Sequence, residues 1–215
     1  MKGPSARRRA FLRAPSFVTV PYLVIRHELR LLASLWLWAA RRTHGIQGGA
    51  AAFGYARGQG AMMFGLGFVC VIESVMMSVL LRDWPTAHHV VLVLDVYTVL
   101  VVVGLHAASV VRPHVLDAGG GTLRIRRAVH VDVRIPLKRI ASVRRELRTT
   151  HERAQGELDL AVGSQTSVTI GLAEPVTHVT FLGRRREVRV VRCHADDPGA
   201  LVRAVDRARE GYAVP

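Results

Sequence analysis

The chain has 215 residues and is strongly basic, with 30 Lys and Arg against 16 Asp and Glu and a formal charge of +14 at neutral pH. Half of its residues are apolar, 6% are aromatic, and its two cysteines, Cys70 and Cys193, exclude a disulfide framework and fit a reducing compartment. The apolar residues are concentrated in residues 61–111, which excludes reading the whole chain as one ordinary soluble domain.

Residues 1–19 form a basic tail, with Arg7-Arg8-Arg9, and are expected to be flexible. The apolar stretch 17–25 runs straight into Arg26-His27-Glu28 with no small-x-small cleavage site after it, so it is not read as a signal peptide. Across residues 20–42, apolar Tyr22, Leu23, Leu29, Leu32 and Trp36 are interleaved with Arg26, His27, Glu28 and Arg30. A third membrane span here would bury all of these charges, at roughly 2.5–3.5 kcal/mol for each Arg near the bilayer centre. The pattern instead predicts an amphipathic helix at the cytoplasmic interface, with Trp36 and Trp38 at headgroup level. Residues 45–60, GIQGGAAAFGYARGQG, are glycine-rich and predicted irregular, completing a segment 20–60.

Residues 61–81 contain one charge, Glu73, and reach roughly 30 Å as a helix, the thickness of a bilayer core. Residues 90–111 again contain one charge, Asp95. The short connection Arg82-Asp83-Trp84-Pro85-Thr86-Ala87-His88-His89 forces two antiparallel spans, so residues 61–111 are predicted to form a transmembrane hairpin. Core helices of a soluble protein would show a polar face, and neither run has one. Arg41, Arg42 and Arg57 precede the first span and Arg112, Arg124, Arg126 and Arg127 follow the second, while the connection holds only Arg82. This asymmetry predicts a multi-pass protein of the cytoplasmic membrane with both termini in the cytoplasm. Ala61/Gly65 and Gly104/Ala108 are small-xxx-small pairs that allow close helix approach, in the hairpin or in a homo-oligomer.

From residue 112 the period changes to two. Val129, Val131, Val133, Ile135 and Leu137 alternate with His130, Asp132, Arg134 and Pro136; Leu158, Leu160 and Val162, then Val168, Ile170 and Leu172, then Thr177, Val179 and Phe181, then Val188 and Val190 repeat the scheme. These predict half-buried antiparallel strands, with turns at Gly119-Gly120-Gly121, Gly163-Ser164-Gln165 and Gly183-Arg184-Arg185. Asp197 as N-cap, Pro198 in the first turn and the stripe Leu201, Ala204, Val205 and Ala208 predict a closing helix. The fold class is therefore a membrane α hairpin followed, in residues 112–215, by a cytosolic α+β domain: a small antiparallel β-barrel or sandwich of about seven strands, capped by a helix.

The segment Val133-Arg134-Ile135-Pro136-Leu137-Lys138-Arg139-Ile140-Ala141-Ser142-Val143 is similar to the I-P-L-x-x-I-x-S-V stretch near the start of bacterial pleckstrin-homology-like domains. Ala195-Asp196-Asp197-Pro198 before the last helix fits the same pattern. Over residues 60–211 the chain resembles two-span membrane proteins of high-GC, actinobacterial-type bacteria that carry this domain. The resemblance implies a fold and no reaction; relatives of the fold bind inositol phospholipids or peptides, and fold does not fix function.

Carboxylates inside spans are costly and commonly functional. Counted from the connection, Glu73 and Asp95 lie at similar depth, roughly 12–15 Å from the outer surface. Two readings stand: a shared proton or cation site, or neutral acids hydrogen-bonded to Ser74, Ser78, Tyr97 or Thr98 that fix packing. Arg124, Arg126, Arg127, Arg144, Arg145, Arg184, Arg185 and Arg186 form basic clusters that gain about 1 kcal/mol each beside anionic lipid, or are solvated strand faces. Nucleic acid is disfavoured because few aromatics interleave these arginines. His88-His89 lacks a firm third metal ligand; His151-Glu152 and His27-Glu28 miss the second His of H-E-x-x-H, with Gln155 and Leu31 in its place. No phosphate-binding glycine loop or nucleophile elbow occurs, and no cofactor or metal is implied. The expected function is a non-enzymatic, membrane-tethered interaction domain for anionic phospholipid headgroups or a partner protein. A proton-coupled or transport subunit using Glu73 and Asp95 is the alternative, and a membrane-bound enzyme a third reading.

Overall fold

A computed structural model of the chain describes residues 19–46, 48–149, 154–180 and 184–211; Arg7-Arg8-Arg9, His151-Glu152, Phe181, Gly183 and Tyr212 lie outside the described residues. Within them the elements run α1 (Thr19–Ala39), β1 (Ala51–Phe53), α2 (Gly60–Leu80), α3 (Pro85–Val111), β2 (His114–Asp117), β3 (Thr122–Arg127), β4 (Val131–Pro136), β5 (Ile140–Arg148), β6 (Glu157–Leu160), β7 (Thr166–Val179), β8 (Arg185–Cys193) and α4 (Pro198–Glu210).

The unbroken apolar runs become α2 and α3, joined by a tight turn in which Trp84 N–H donates to Leu81 O at 2.9 Å and Pro85 opens α3 without an unpaired N–H. Both helices are long and apolar enough to cross a membrane, and 0% of the apolar window of α2 and 17% of that of α3 is buried inside the protein. A core helix of a soluble protein would be mostly covered. The less exposed residues of α2 (Met63, Gly67, Cys70, Ser74, Met77) and of α3 (His88, Val91, Asp95, Val99, Val102) recur every three or four positions, the spacing of a helix–helix seam. The end of α3 is different: Val102, Gly104, Ala107, Ala108, Ser109 and Val111 are buried.

That end is covered by α1. Leu31 and Leu35 pack on Gly104, Trp38 meets His106 edge to face with ring centroids 6.2 Å apart, and Tyr97 OH donates to Glu28 at 2.5 Å. Gly104, read as half of a small-xxx-small pair, thus admits α1. These contacts all fall between residues 97 and 112 of the chain.

The strands build two sheets, ordered β1-β2-β3-β4 and β5-β7-β8-β6. Leu123, Ile125, Val133 and Ile135 from the first and Val168, Ile170, Val188 and Val191 from the second share one core, which Leu201 and Val205 of α4 complete. This is a two-sheet sandwich with a terminal helix, whose N-cap is as predicted: Ala200 N–H donates to Asp197 Oδ1 at 2.8 Å, a bond worth about 1 kcal/mol.

Three expectations are corrected. The strands are not all antiparallel: β6 runs parallel to β8, with Asp159 opposite Arg192. Arg192, 8% exposed, is bonded to both Glu157 and Asp159, so burial of its charge is compensated only in this register. The two short strands read at 168–172 and 177–181 are one strand, β7, carried past Pro175 by a register shift between Gly171 and Val176. The stretch 45–60 is not irregular throughout, because Ala51–Phe53 pairs with β2. The carbonyl of its neighbour Gly54 accepts from Asp196 N–H at 2.8 Å, and a Cβ on Gly54 would lie 2.6 Å from Asp196 Oδ2. The three residues of β1, in a glycine-rich stretch, carry too short an alternation to be read as a strand; the pairing is supplied by β2.

Candidate functional site

Arg26 and Arg30 stand one turn apart on α1, and Arg124 and Arg126 alternate on the face of β3 that points away from the core. Docking of α1 across the end of α3 brings these four together with Arg112. They line a cleft of about 360 Å³ with one acid, Asp132. Its apolar wall is Leu29, Ala33 and Leu37 of α1, at i, i+4 and i+8, facing Val129 and Val131. An adjoining cleft of about 430 Å³ shares Arg26, Arg30 and Asp132 and adds Arg134.

Asp132 is taken up by Arg124, which donates from Nε to Oδ1 at 2.6 Å and from Nη2 to Oδ2. Burial raises the Asp132 carboxyl, and the bond and charge of Arg124 more than reverse this, leaving it below the ordinary carboxylate range. Arg112 donates to Ser34 Oγ at 3.2 Å, and Ser34 in turn donates to Arg30 O at 2.7 Å. Arg126 is 2% exposed. Its Nη1 donates to His44 O at 2.8 Å, its Nε lies 3.9 Å from Asp132 Oδ1, and its buried Nη2 has no partner among the described residues. Gly45, at φ +77°, closes over it: a Cβ there would lie 2.6 Å from Nη2. Burial, then the neighbouring guanidinium (Arg124 for Arg126, Arg30 for Arg112), lowers both arginines from their ordinary value.

Below the cleft, His114 is wholly enclosed. Its Nδ1 accepts from Arg126 N–H at 3.1 Å, which makes Nε2 the protonated nitrogen donating to His194 O at 2.9 Å. Tyr55 stacks on it, ring centroids 4.8 Å apart, and the Tyr55 hydroxyl accepts from Ala128 N–H at 2.7 Å. Ala128 turns the chain between β3 and β4 at φ +45°. Next to that turn, His130 stacks on His27 of α1, with His27 Nε2 and His130 Nδ1 3.0 Å apart.

The other arginines of the predicted basic surface lie elsewhere. Arg127 is exposed, as are Arg144, Arg145, Arg184, Arg185 and Arg186. Arg144 pairs with Glu146 at 3.1 Å. Arg145 stands opposite Val168, whereas Arg185 stands opposite Val179. The length of β7 between those positions puts the two groups roughly 30 Å apart, so they are separate patches. Asp95 lies on the seam toward α2, its Oδ2 buried and unpartnered, while Glu73 is exposed beside that seam. No hydrogen bond joins them among the described residues. Ser74 and Thr98 bond back to Cys70 O and Leu94 O, each at 2.9 Å, and Tyr97 is held by Glu28.

His89 Nδ1 is 2.6 Å from Pro85 O, and among the described residues no three His, Cys, Asp or Glu are grouped to hold a metal ion. Sequence reasoning missed Tyr55, His114 and the convergence of Arg26, Arg30 and Arg112 with β3. The one available signal was the pair of spacings, i, i+4 on α1 and i, i+2 on β3, each giving a basic face. Compared with protein-family models, curated proteins and solved structures, the chain matches none.

Proposed function

We propose that the protein is a multi-pass protein of the cytoplasmic membrane, in which α2 and α3 cross the bilayer with both termini on the cytoplasmic side. The sandwich is a pleckstrin-homology-like interaction domain that catalyses no reaction and engages anionic phospholipid headgroups. The uncovered apolar surface of α2 and α3 and the arginines flanking them support insertion in that sense. Two sheets closed by a terminal helix support the resemblance; the parallel β6 departs from the all-antiparallel arrangement expected of it.

One observation carries the headgroup reading. Five arginines converge against a single aspartate where the end of α3 meets the sandwich, a concentration of positive charge that anionic headgroups would neutralise. The full-length chain, reconstituted in vesicles of phosphatidylcholine alone or with one-third phosphatidylglycerol, is expected to unfold at higher temperature in the anionic vesicles. The gain should shrink from about 0.1 M to 1 M salt, as the screening length falls from about 10 to 3 Å. Equal midpoints in both vesicles would remove the reading.

The alternative, a proton-coupled or transport subunit, has its own support in Asp95, whose Oδ2 is enclosed between two apolar helices without a partner. That reading expects a carbodiimide to label Asp95 or Glu73 in native membranes, with a yield that falls as the pH rises. Absence of labelling at every pH dismisses it.

A further inference from the structure

We infer that the cleft between α1 and the β3–β4 edge is a site for one anionic phospholipid, its phosphate held by Arg26, Arg30 and Arg126 and an acyl chain laid over Leu29, Ala33 and Leu37. This rests on the membrane-anchored reading and narrows it from a charged surface to a stoichiometric site.

Three observations converge. The first is uncompensated charge. Asp132, the one acid lining the cleft, is taken up by Arg124; its 3.9 Å approach to Arg126 Nε is the one other ion pair there among the described residues. Arg112 is bonded to a neutral hydroxyl and Arg126 to a carbonyl. Guanidinia so close to one another repel, and an anion between them reverses the sign of that interaction. The second is the orphaned Nη2 of Arg126, on a side chain 2% exposed that lines the cleft. A buried charged donor without an acceptor is costly, and a phosphate oxygen is the kind of acceptor a guanidinium fork matches.

The third separates a lipid from a soluble ion. Leu29, Ala33 and Leu37 make one stripe of α1, and Leu29 is 61% exposed. An inorganic phosphate would use the arginines and leave this stripe in water. An amphiphile uses both walls, and at about 360 Å³ the cleft takes a headgroup phosphate with the start of one chain. With α2 and α3 spanning the bilayer as proposed, its position beside the buried end of α3 is where a lipid of the inner leaflet would present its phosphate.

The test uses the full-length protein stripped of lipid in a neutral detergent, with ligand retention read by native mass spectrometry. Phosphatidylglycerol should give one adduct per chain and phosphatidylcholine none at the same concentration. Arg26 and Arg30 are exposed, so the double variant R26Q/R30Q should keep the wild-type unfolding midpoint while binding phosphatidylglycerol about thirtyfold more weakly. L29S, which removes apolar contact without adding charge, should weaken phosphatidylglycerol binding and keep whatever affinity the protein has for inorganic phosphate. R184Q/R185Q/R186Q, on a remote patch, should bind as wild type.

An R26Q/R30Q protein that binds phosphatidylglycerol undiminished overturns the site; if its unfolding midpoint still depends on vesicle charge, headgroups are engaged elsewhere and the broader function stands. Inorganic phosphate binding as tightly as phosphatidylglycerol also overturns the assignment, in favour of a soluble phosphate. No adduct together with no dependence on vesicle charge removes both readings.

Discussion

Lowering the pH from 7.5 to 5 is expected to destabilise the folded protein by about 2 kcal/mol through His114 alone. Burial, against the bond to His194 O, pushes His114 from its ordinary 6.5 down to about 4. Both ring nitrogens are committed in the neutral form, and a proton added at Nδ1 would point at the N–H of Arg126. Between those two values the unfolded chain binds a proton that the folded chain refuses. Stability is therefore complete above about pH 6.5 and is lost as the pH falls toward 4. His27, His44 and His130 are likewise lowered, each by burial first, and act in the same direction. Unfolding of the detergent-solubilised protein followed across this range should show the decline, and H114Q, which keeps a donor and an acceptor but cannot take up the proton, should flatten it. A midpoint constant from pH 7.5 to 5, or a slope unchanged in H114Q, would show that His114 is not the titrating group.

The second large effect is expected at Tyr55, 1% exposed in a segment whose composition reads as linker. Tyr55→Ala removes a fully enclosed ring and should cost about 3–5 kcal/mol. Tyr55→Phe keeps the ring and the stack on His114 but strands the N–H of Ala128, and should cost about 1–3 kcal/mol. The loss is aggravated because Ala128 sits at φ +45°, which a non-glycine residue holds only when its surroundings fix it. Denaturant unfolding of the two variants measures both numbers. If Tyr55→Ala unfolds within about 1 kcal/mol of wild type, the segment is loosely attached and this account of it is wrong.

Local signals carried far in this chain. Runs without a polar face gave α2 to within a residue and the end of α3, whose start lies five residues earlier than read, at Pro85; Asp197-Pro198 marked the start of α4 because capping is satisfied by atoms three residues away. The period of two found strand faces but not strand ends: Pro175 reads as a break, whereas the pairing of β7 with β8 resumes at Val176. For Glu73 and Asp95, counting residues predicts a similar level and leaves direction open. Each residue turns a helix by about 100°, so two carboxylates at one level can look different ways, as Asp95 on the seam and Glu73 beside it do. The arginine cleft was legible only in halves. What unites the halves is the fit of Leu31 and Leu35 on Gly104, a contact between residues some seventy positions apart that no periodicity encodes.

The pairing of β1 with β2 has a topological consequence. These strands are neighbours in the sheet, in register from Ala51 opposite Leu116 to Phe53 opposite His114, yet the whole helix pair is threaded between them in the chain. The pair is thus an excursion from a closed ladder, entering and leaving at adjacent rungs, with no free swivel at its root. A tilt or rotation of α2 against α3 strains those rungs directly, and a distortion of the ladder is felt by the helices. Severing the chain at residue 112 would not release an intact sandwich but one with a raw edge at β2. The two halves are mechanically one body, and folding of the ladder has to wait until the helices have been made.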